Sequence, residues 1–265
     1  FVIGGVLLTS FILHTLKISL HGPGDVEGPV SIVSTAIMLV IILAATAVMA
    51  KIQHRRVVEF GLRDGKWPRK ALRGAAVGFA LCAALIGALA LLGAIHIEPA
   101  GQTLVGGLLY AFTWVVGYAA VGFMEENLFR GYPLFRLTEG VGFLPAALIT
   151  SSVFGALHLG NDKETGIAGL NAVLLALMLC WSVRATGSLW WAIGFHSAWD
   201  WTESCLFGCA DSGIKAQGRL FDTVSSASNR LSGGTAGPEG SLLMIVVVVL
   251  VGLLLYREQR RRLAS

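Results

Sequence analysis

LVGGLLYAFTWVVGYAAVGFM, Leu104 to Met124, is an apolar run long enough to cross a bilayer, and it leads straight into Glu125-Glu126-Asn127-Leu128-Phe129-Arg130. A spanning helix takes about 20 mostly apolar residues. Ionisable side chains inside such a helix are costly, so they usually face a protein-lined or wet interior and carry function there. Two further polar insertions follow in apolar surroundings, Phe154-Gly155-Ala156-Leu157-His158 and His196-Ser197-Ala198-Trp199-Asp200. Together the three mark the chain as an intramembrane enzyme candidate.

Outward from that stretch, the composition is that of a membrane protein. Of 265 residues, 55% are hydrophobic and 14% charged, with a mean hydropathy of +0.72. A soluble domain carries about a quarter charged residues. The reading is an all-α, polytopic membrane protein forming a single transmembrane domain over 1–265, with about eight spanning helices. These are placed at 1–20, 29–50, 72–95, 104–136, 144–160, 168–184, 187–206 and 241–256. The fourth is too long for one span, so its second half tilts or continues past the membrane. The first begins at Phe1 without a methionine, which suggests a missing N-terminal piece. It lacks the basic n-region and cleavage site of a signal peptide.

The formal charge of +4 sits in short basic clusters between apolar runs, which reports topology and points away from nucleic acid. Arg55, Arg56, Arg63, Lys66, Arg69 and Lys70 place the loop from Lys51 to Arg73 in the cytoplasm. Counting onward puts Arg136, Arg184 and the basic tail 257–265 on the same side, with both termini cytoplasmic. The loop at 96–103 and the Gly- and Ser-rich segment 207–240 fall outside, the latter read as flexible. Cys82 and Cys180 lie in apolar runs as small core residues. Cys205 and Cys209, four apart, are read as a reduced pair, with a disulfide as the minority reading. Gly74 and Gly78 allow close helix contact, a weak signal in a Gly-rich chain.

Adjacent helical residues point about 100° apart, so Glu125 and Glu126 cannot aim at one spot. Glu126 has Arg130 four residues on, in the favourable acid-before-base order, and the pair neutralises itself. Glu125 has Phe129 there instead, and partial burial would make it the stronger base towards water. The bland alternative is a helix end at the interface with solvated acids. Phe154 with His158, and His196 with Asp200, share helix faces at i, i+4. A lone histidine in a membrane helix is more often a packing residue, which is the reading for His14 and His21. The carboxylate of Asp200 raises His196 above that level, because it can orient an imidazole or share a ligand. At about 1.5 Å per residue, Glu125, His158 and His196 lie at compatible depths, allowing one mid-membrane site biased towards the cytoplasm.

Glu-Glu-x-x-x-Arg, Phe-x-x-x-His and His-x-x-x-Asp in successive helices resemble the CPBP family of CAAX-type intramembrane proteases and bacteriocin-processing or immunity proteins. The resemblance runs from Glu125 to Asp200, inside a core of about 104–206. It implies hydrolysis of a peptide bond in a membrane-associated protein or peptide. By that resemblance Glu125 activates water, His196 helps orient it, His158 stabilises the oxyanion and Asp200 holds the water or an imidazole. Arg130 locks Glu126 and the local backbone, and Phe154 supports. Asp200 stands where prenyl endopeptidases generally have Asn, which counts against prenylated substrates and favours a bacterial plasma membrane. No cofactor is favoured; in a zinc alternative the ligands would be His158, His196 and Asp200. Two other classes compete: a non-catalytic scaffold or immunity protein of the family, and a proton-coupled transporter. The other partner expected is the lipid bilayer itself.

Overall fold

A computed structural model describes residues 21–22, 26–159, 165–211 and 213–264. The expected span at 1–20, with His14, lies outside the described residues. The long helices are α1 (Ser31–Ile52), α2 (Trp67–Leu91), α3 (Leu104–Phe129), α4 (Tyr132–Val141), α5 (Phe143–His158), α6 (Gly166–Thr186) and α7 (Trp190–Asp200). The short α8 (Asn229–Ser232) precedes α9 (Met244–Ala264). Four stretches are long and apolar enough to cross a membrane: Ser31–Ile52, Trp67–Leu91, Leu104–Val141 and Gly166–Thr186. Phe143–His158 is apolar but shorter. Four of the eight expected spans are thus matched by stretches that long and apolar among the described residues. In α9 the apolar part ends at Tyr256, and the helix continues through the basic tail.

Burial is inverted relative to a soluble protein. Val40, Leu108, Phe112 and Leu144 stand out from the bundle, while Glu126, Arg130, Asn171 and Glu203 are buried within it. Helices satisfy their own backbone groups, so an apolar exterior over such helices is the form a bilayer tolerates.

The helix expected over 104–136 is broken at Arg130 and Gly131. Pro133 opens α4. It has no N–H to bond the carbonyl of Phe129, and its ring would clash there in a continuous helix. A Cβ at Gly131 would lie 2.5 Å from the carbonyl oxygen of Asn127, so the tight turn requires glycine. The depth of Glu125 reckoned along one continuous helix over 104–136 therefore does not apply.

The closest helix contact is between α2 and α7. A Cβ at Gly74 would sit 2.0 Å from the carbonyl oxygen of Trp191, and one at Gly78 would sit 2.3 Å from that of Phe195. From the other side, a Cβ at Gly194 would lie 2.0 Å from the carbonyl oxygen of Ala71. Small residues let the backbones touch, and this contact fixes the helix that carries His196 and Asp200.

The two ends of the bundle differ. At one, Arg55 and Arg136 both pair with Glu139, Lys70 bonds Asp64 (2.5 Å) and the carbonyl of Thr186 (2.7 Å), and Arg262 reaches the carbonyl of Arg184 (3.3 Å). All the loops expected on one side thus meet at one end. Burial pushes the Asp64 carboxyl up, but bonds from Lys70 and the Lys66 N–H outweigh it and hold the group below its ordinary value.

At the other end the segment 207–240 is folded, which corrects its reading as a flexible loop. β3 (Ile95–Pro99) pairs antiparallel with β5 (Phe221–Ser225), Ile95 opposite Ser225. β4 (Lys215–Ala216) runs parallel to β2 (Val26–Glu27), which pairs with β1 (His21–Gly22). Asp222 binds Lys215 (2.5 Å) and Arg219 (2.6 Å), and those cations outweigh partial burial to hold its pKa below the ordinary carboxylate value. Asn171 of α6 donates to the carbonyls of Glu239 (2.7 Å) and Ser241 (3.0 Å), anchoring the cap to the bundle. Glycine and serine content suggested mobility, whereas these tertiary contacts give the backbone fixed partners. All four cysteines are free and buried, and burial pushes the Cys209 thiol up to about 12.

Candidate active site

Three helices supply the polar groups read from the sequence. The last turns of α3 carry Glu125 and Glu126, with Arg130 as its C-cap; α5 carries Phe154 and His158; α7 carries His196 and Asp200. The structure brings Glu125, Arg130, Phe154, His158, His196 and Asp200 to the wall of one cavity of about 440 Å³.

The two glutamates have different surroundings, as helix geometry requires. Glu126 is fully buried and binds Arg130, Oε1 to Nη1 at 3.0 Å. Arg130 lies over the face of Phe154 at 4.4 Å from the ring centre, so Phe154 is part of the charge's setting. The Glu125 side chain keeps 22% exposure, lines the cavity, and its Oε2 has no hydrogen-bond partner.

His196 lies between the carboxylates. Its Nδ1 is 2.8 Å from Glu126 Oε1, while Nε2 is 3.6 Å from both Glu125 Oε2 and Asp200 Oδ2. A carboxylate accepts only, so Nδ1–H donates to Glu126 and Nε2 is turned to the two cavity acids. The sequence reading gave Glu126 one partner, Arg130; the structure adds His196, making Glu126 the group that orients the ring. Because 3.6 Å exceeds a normal hydrogen bond, Nε2, Glu125 and Asp200 surround a small polar space.

His158, at the end of α5, bonds the Phe154 carbonyl through Nδ1 at 2.8 Å. Since a carbonyl accepts, that nitrogen carries the proton and Nε2 is the free position. The His158 ring also stacks on Phe154, with centroids 4.2 Å apart. Phe154 therefore touches Arg130 and His158, and approaches His196 edge-on at 6.3 Å.

Two cavity residues and one buried acid close in sequence to Asp200 were not read from the sequence. After Asp200, α7 widens into a π-helical stretch, Trp201–Leu206, a form frequent at functional sites. It buries Glu203 completely; Oε2 accepts from Trp199 (2.8 Å) and Oε1 is without a partner. An acid three residues beyond Asp200 in an apolar run was a signal available in the sequence. The two cavity residues, Asp211 and Glu239, come from the cap and line the cavity of Glu125 and His196. The cavity wall therefore includes part of the cap as well as the end of α3. No local pattern could have found those two, since the cap was read as loop.

Among the described residues, no group of three or more His, Cys, Asp or Glu is placed to hold a metal ion. The set His158, His196 and Asp200 is not such a group.

Comparisons with curated proteins and with solved structures return no match. The chain's hydrophobic helices and this polar site are those of a membrane-embedded protein. Residues 107–202, which contain every group from Glu125 to Asp200, match the family model of type II CAAX prenyl endopeptidases, Rce1-like.

Proposed function

We propose that this protein is an intramembrane endopeptidase that hydrolyses a peptide bond of a membrane-associated protein or peptide, using water activated by Glu125. The observation that carries this is the Glu125–His196–Asp200 cluster: one nitrogen equidistant at 3.6 Å from two carboxylates, facing the cavity. A water there donates to Glu125 and Asp200 and accepts from His196 Nε2 when that nitrogen carries a proton. Glu125 takes its proton as the water oxygen attacks the carbonyl carbon. Glu126, bonded to Nδ1, keeps Nε2 pointed at the water, and Arg130 neutralises Glu126 so that it remains a fixed acceptor. The oxyanion forms within reach of His158. With Nδ1 bonded to the Phe154 carbonyl, Nε2 is the His158 atom turned to the oxyanion. The tetrahedral centre then collapses, the C–N bond breaks, and the proton held by Glu125 passes to the leaving nitrogen.

The basic end of the bundle is assigned to the cytoplasm and the cap to the opposite face of a bacterial plasma membrane. The Asp200 form speaks against a prenyl requirement. The test is cleavage of an unprenylated membrane peptide by purified protein in detergent or nanodiscs. Removing a general base lowers rates about 10²–10⁴-fold and removing an oxyanion donor about 10²–10³-fold, so Glu125→Gln and His158→Ala should fall in those ranges with the fold intact. If both cleave at the wild-type rate, the hydrolytic mechanism is wrong.

A further inference from the structure

A second cavity, of about 820 Å³, opens at the basic end between the start of α2 and the end of α9. Lys66, Arg69 and Arg73 line it from one side, and Arg257, Arg261 and Arg262 from the other. Lys70 also reaches it, but its charge is taken by Asp64 (2.5 Å). Glu258 is the one acid on its wall and bridges to Arg73 at 3.8 Å. No hydrogen bond or ion pair to Lys66, Arg69, Arg257 or Arg261 side chains occurs among the described residues. Like charges brought together on two helices repel unless an anion joins them. Deeper in, the wall turns apolar, with Val77, Trp191, Leu254 and Leu255. The outward faces beside it are also apolar, Leu72 and Leu253 being exposed.

We propose that this cavity binds an anionic phospholipid of the bilayer, its phosphate among the Arg and Lys side chains and its acyl chains on the apolar wall. Charge and depth both select that occupant. A free phosphate would use only the cationic mouth and leave the apolar wall empty. The loops that carry these cations are those the positive-inside rule assigns to the cytoplasm, where anionic lipid gathers and basic pockets between helices hold headgroups. The site is separate from the proposed protease site and stands whether or not that activity is found.

The experiment uses full-length protein in phosphatidylcholine nanodiscs, with and without 20% phosphatidylglycerol or cardiolipin. Binding is read from quenching of Trp191 and its neighbours by bromo-labelled lipid and from the rise in thermal stability. Each surface cation is worth about fivefold in attraction to anionic lipid. Arg69→Gln, Arg257→Gln and Arg261→Gln together should then weaken binding on the order of a hundredfold. Because these side chains are exposed, stability in pure phosphatidylcholine should not change. The control Lys51→Gln, Arg56→Gln, Arg63→Gln removes as many charges from the same end outside the cavity, and should retain most of the binding. Equal loss in both triples means general charge attraction and overturns the site. So does unchanged binding in the cavity triple. Stabilisation by inorganic phosphate at the affinity seen for lipid would show the occupant to be a free ion, overturning the lipid assignment. Wild-type binding that ignores ionic strength would overturn it without any variant.

Discussion

Replacing Arg130 by methionine should expose how much the buried charge at the site depends on its partner. Glu126 and Arg130 are both fully buried, 3.0 Å apart, and the guanidinium also covers Phe154 at 4.4 Å. Arg130→Met keeps an apolar chain of similar length in place but leaves Glu126 without its cation. Breaking one half of a buried pair costs about 3–5 kcal/mol, mainly because the remaining charge is uncompensated. The lost contact with Phe154 contributes roughly 0.5–2 kcal/mol of that range. Adding Glu126→Gln removes the stranded charge, and the amide oxygen still accepts from His196 Nδ1. The double variant should therefore recover to within about 1–2 kcal/mol of wild type, a coupling of about 2 kcal/mol or more. Reversible unfolding in mixed micelles, followed by tryptophan fluorescence, measures all four corners of the cycle. If Arg130→Met costs under about 1 kcal/mol, His196 alone neutralises Glu126 and the pair is not what holds it. A double variant no more stable than the single one would also refute the reasoning.

Other outcomes follow from the same geometry. Gly78→Ala places a methyl 2.3 Å from the Phe195 carbonyl oxygen, and should cost about 1–3 kcal/mol by overpacking while reducing any cleavage, since α7 must shift. Gly87→Ala on the same helix meets nothing within 4 Å and should be neutral or stabilising by up to about 1 kcal/mol; equal effects would show that the α2–α7 approach is not limiting. Asp222, held below its ordinary value near 3.8 by Arg219 and Lys215, stabilises the cap above that pH and loses the contribution as pH falls through its lower folded value. Asp222→Asn should remove this acid dependence from proteolysis of the 207–240 segment, and an unchanged pH profile would assign the sensitivity elsewhere. Extensive chelation should leave cleavage of the membrane peptide unchanged; loss that zinc alone restores would establish a metal mechanism.

The run Leu104–Met124 ending in two glutamates settles much by itself, because helical spacing and the cost of charge in lipid are local facts. They separate Glu125 from Glu126, pair Glu126 with Arg130, and make the three polar insertions conspicuous. Loop charges group the basic segments on one side for the same reason, since each is read beside its own apolar run. Even the break at Gly131-Tyr132-Pro133 was written in the chain, although apolar continuity past Phe129 hid it. Partners distant in sequence were decided only by tertiary structure. Nothing near Glu126 says that His196, 70 residues away, will donate to it, nor that Phe154 will touch two site residues from different helices. The cap was illegible for a similar reason: β3 and β5 are 126 residues apart at Ile95 and Pro99 of one and Ser225 and Phe221 of the other, on average. A Gly- and Ser-rich segment shows no periodicity until its strand partner is in place. Position and type of the reactive groups are thus local properties of the helices, while the wall that encloses them belongs to the packing that joins those helices.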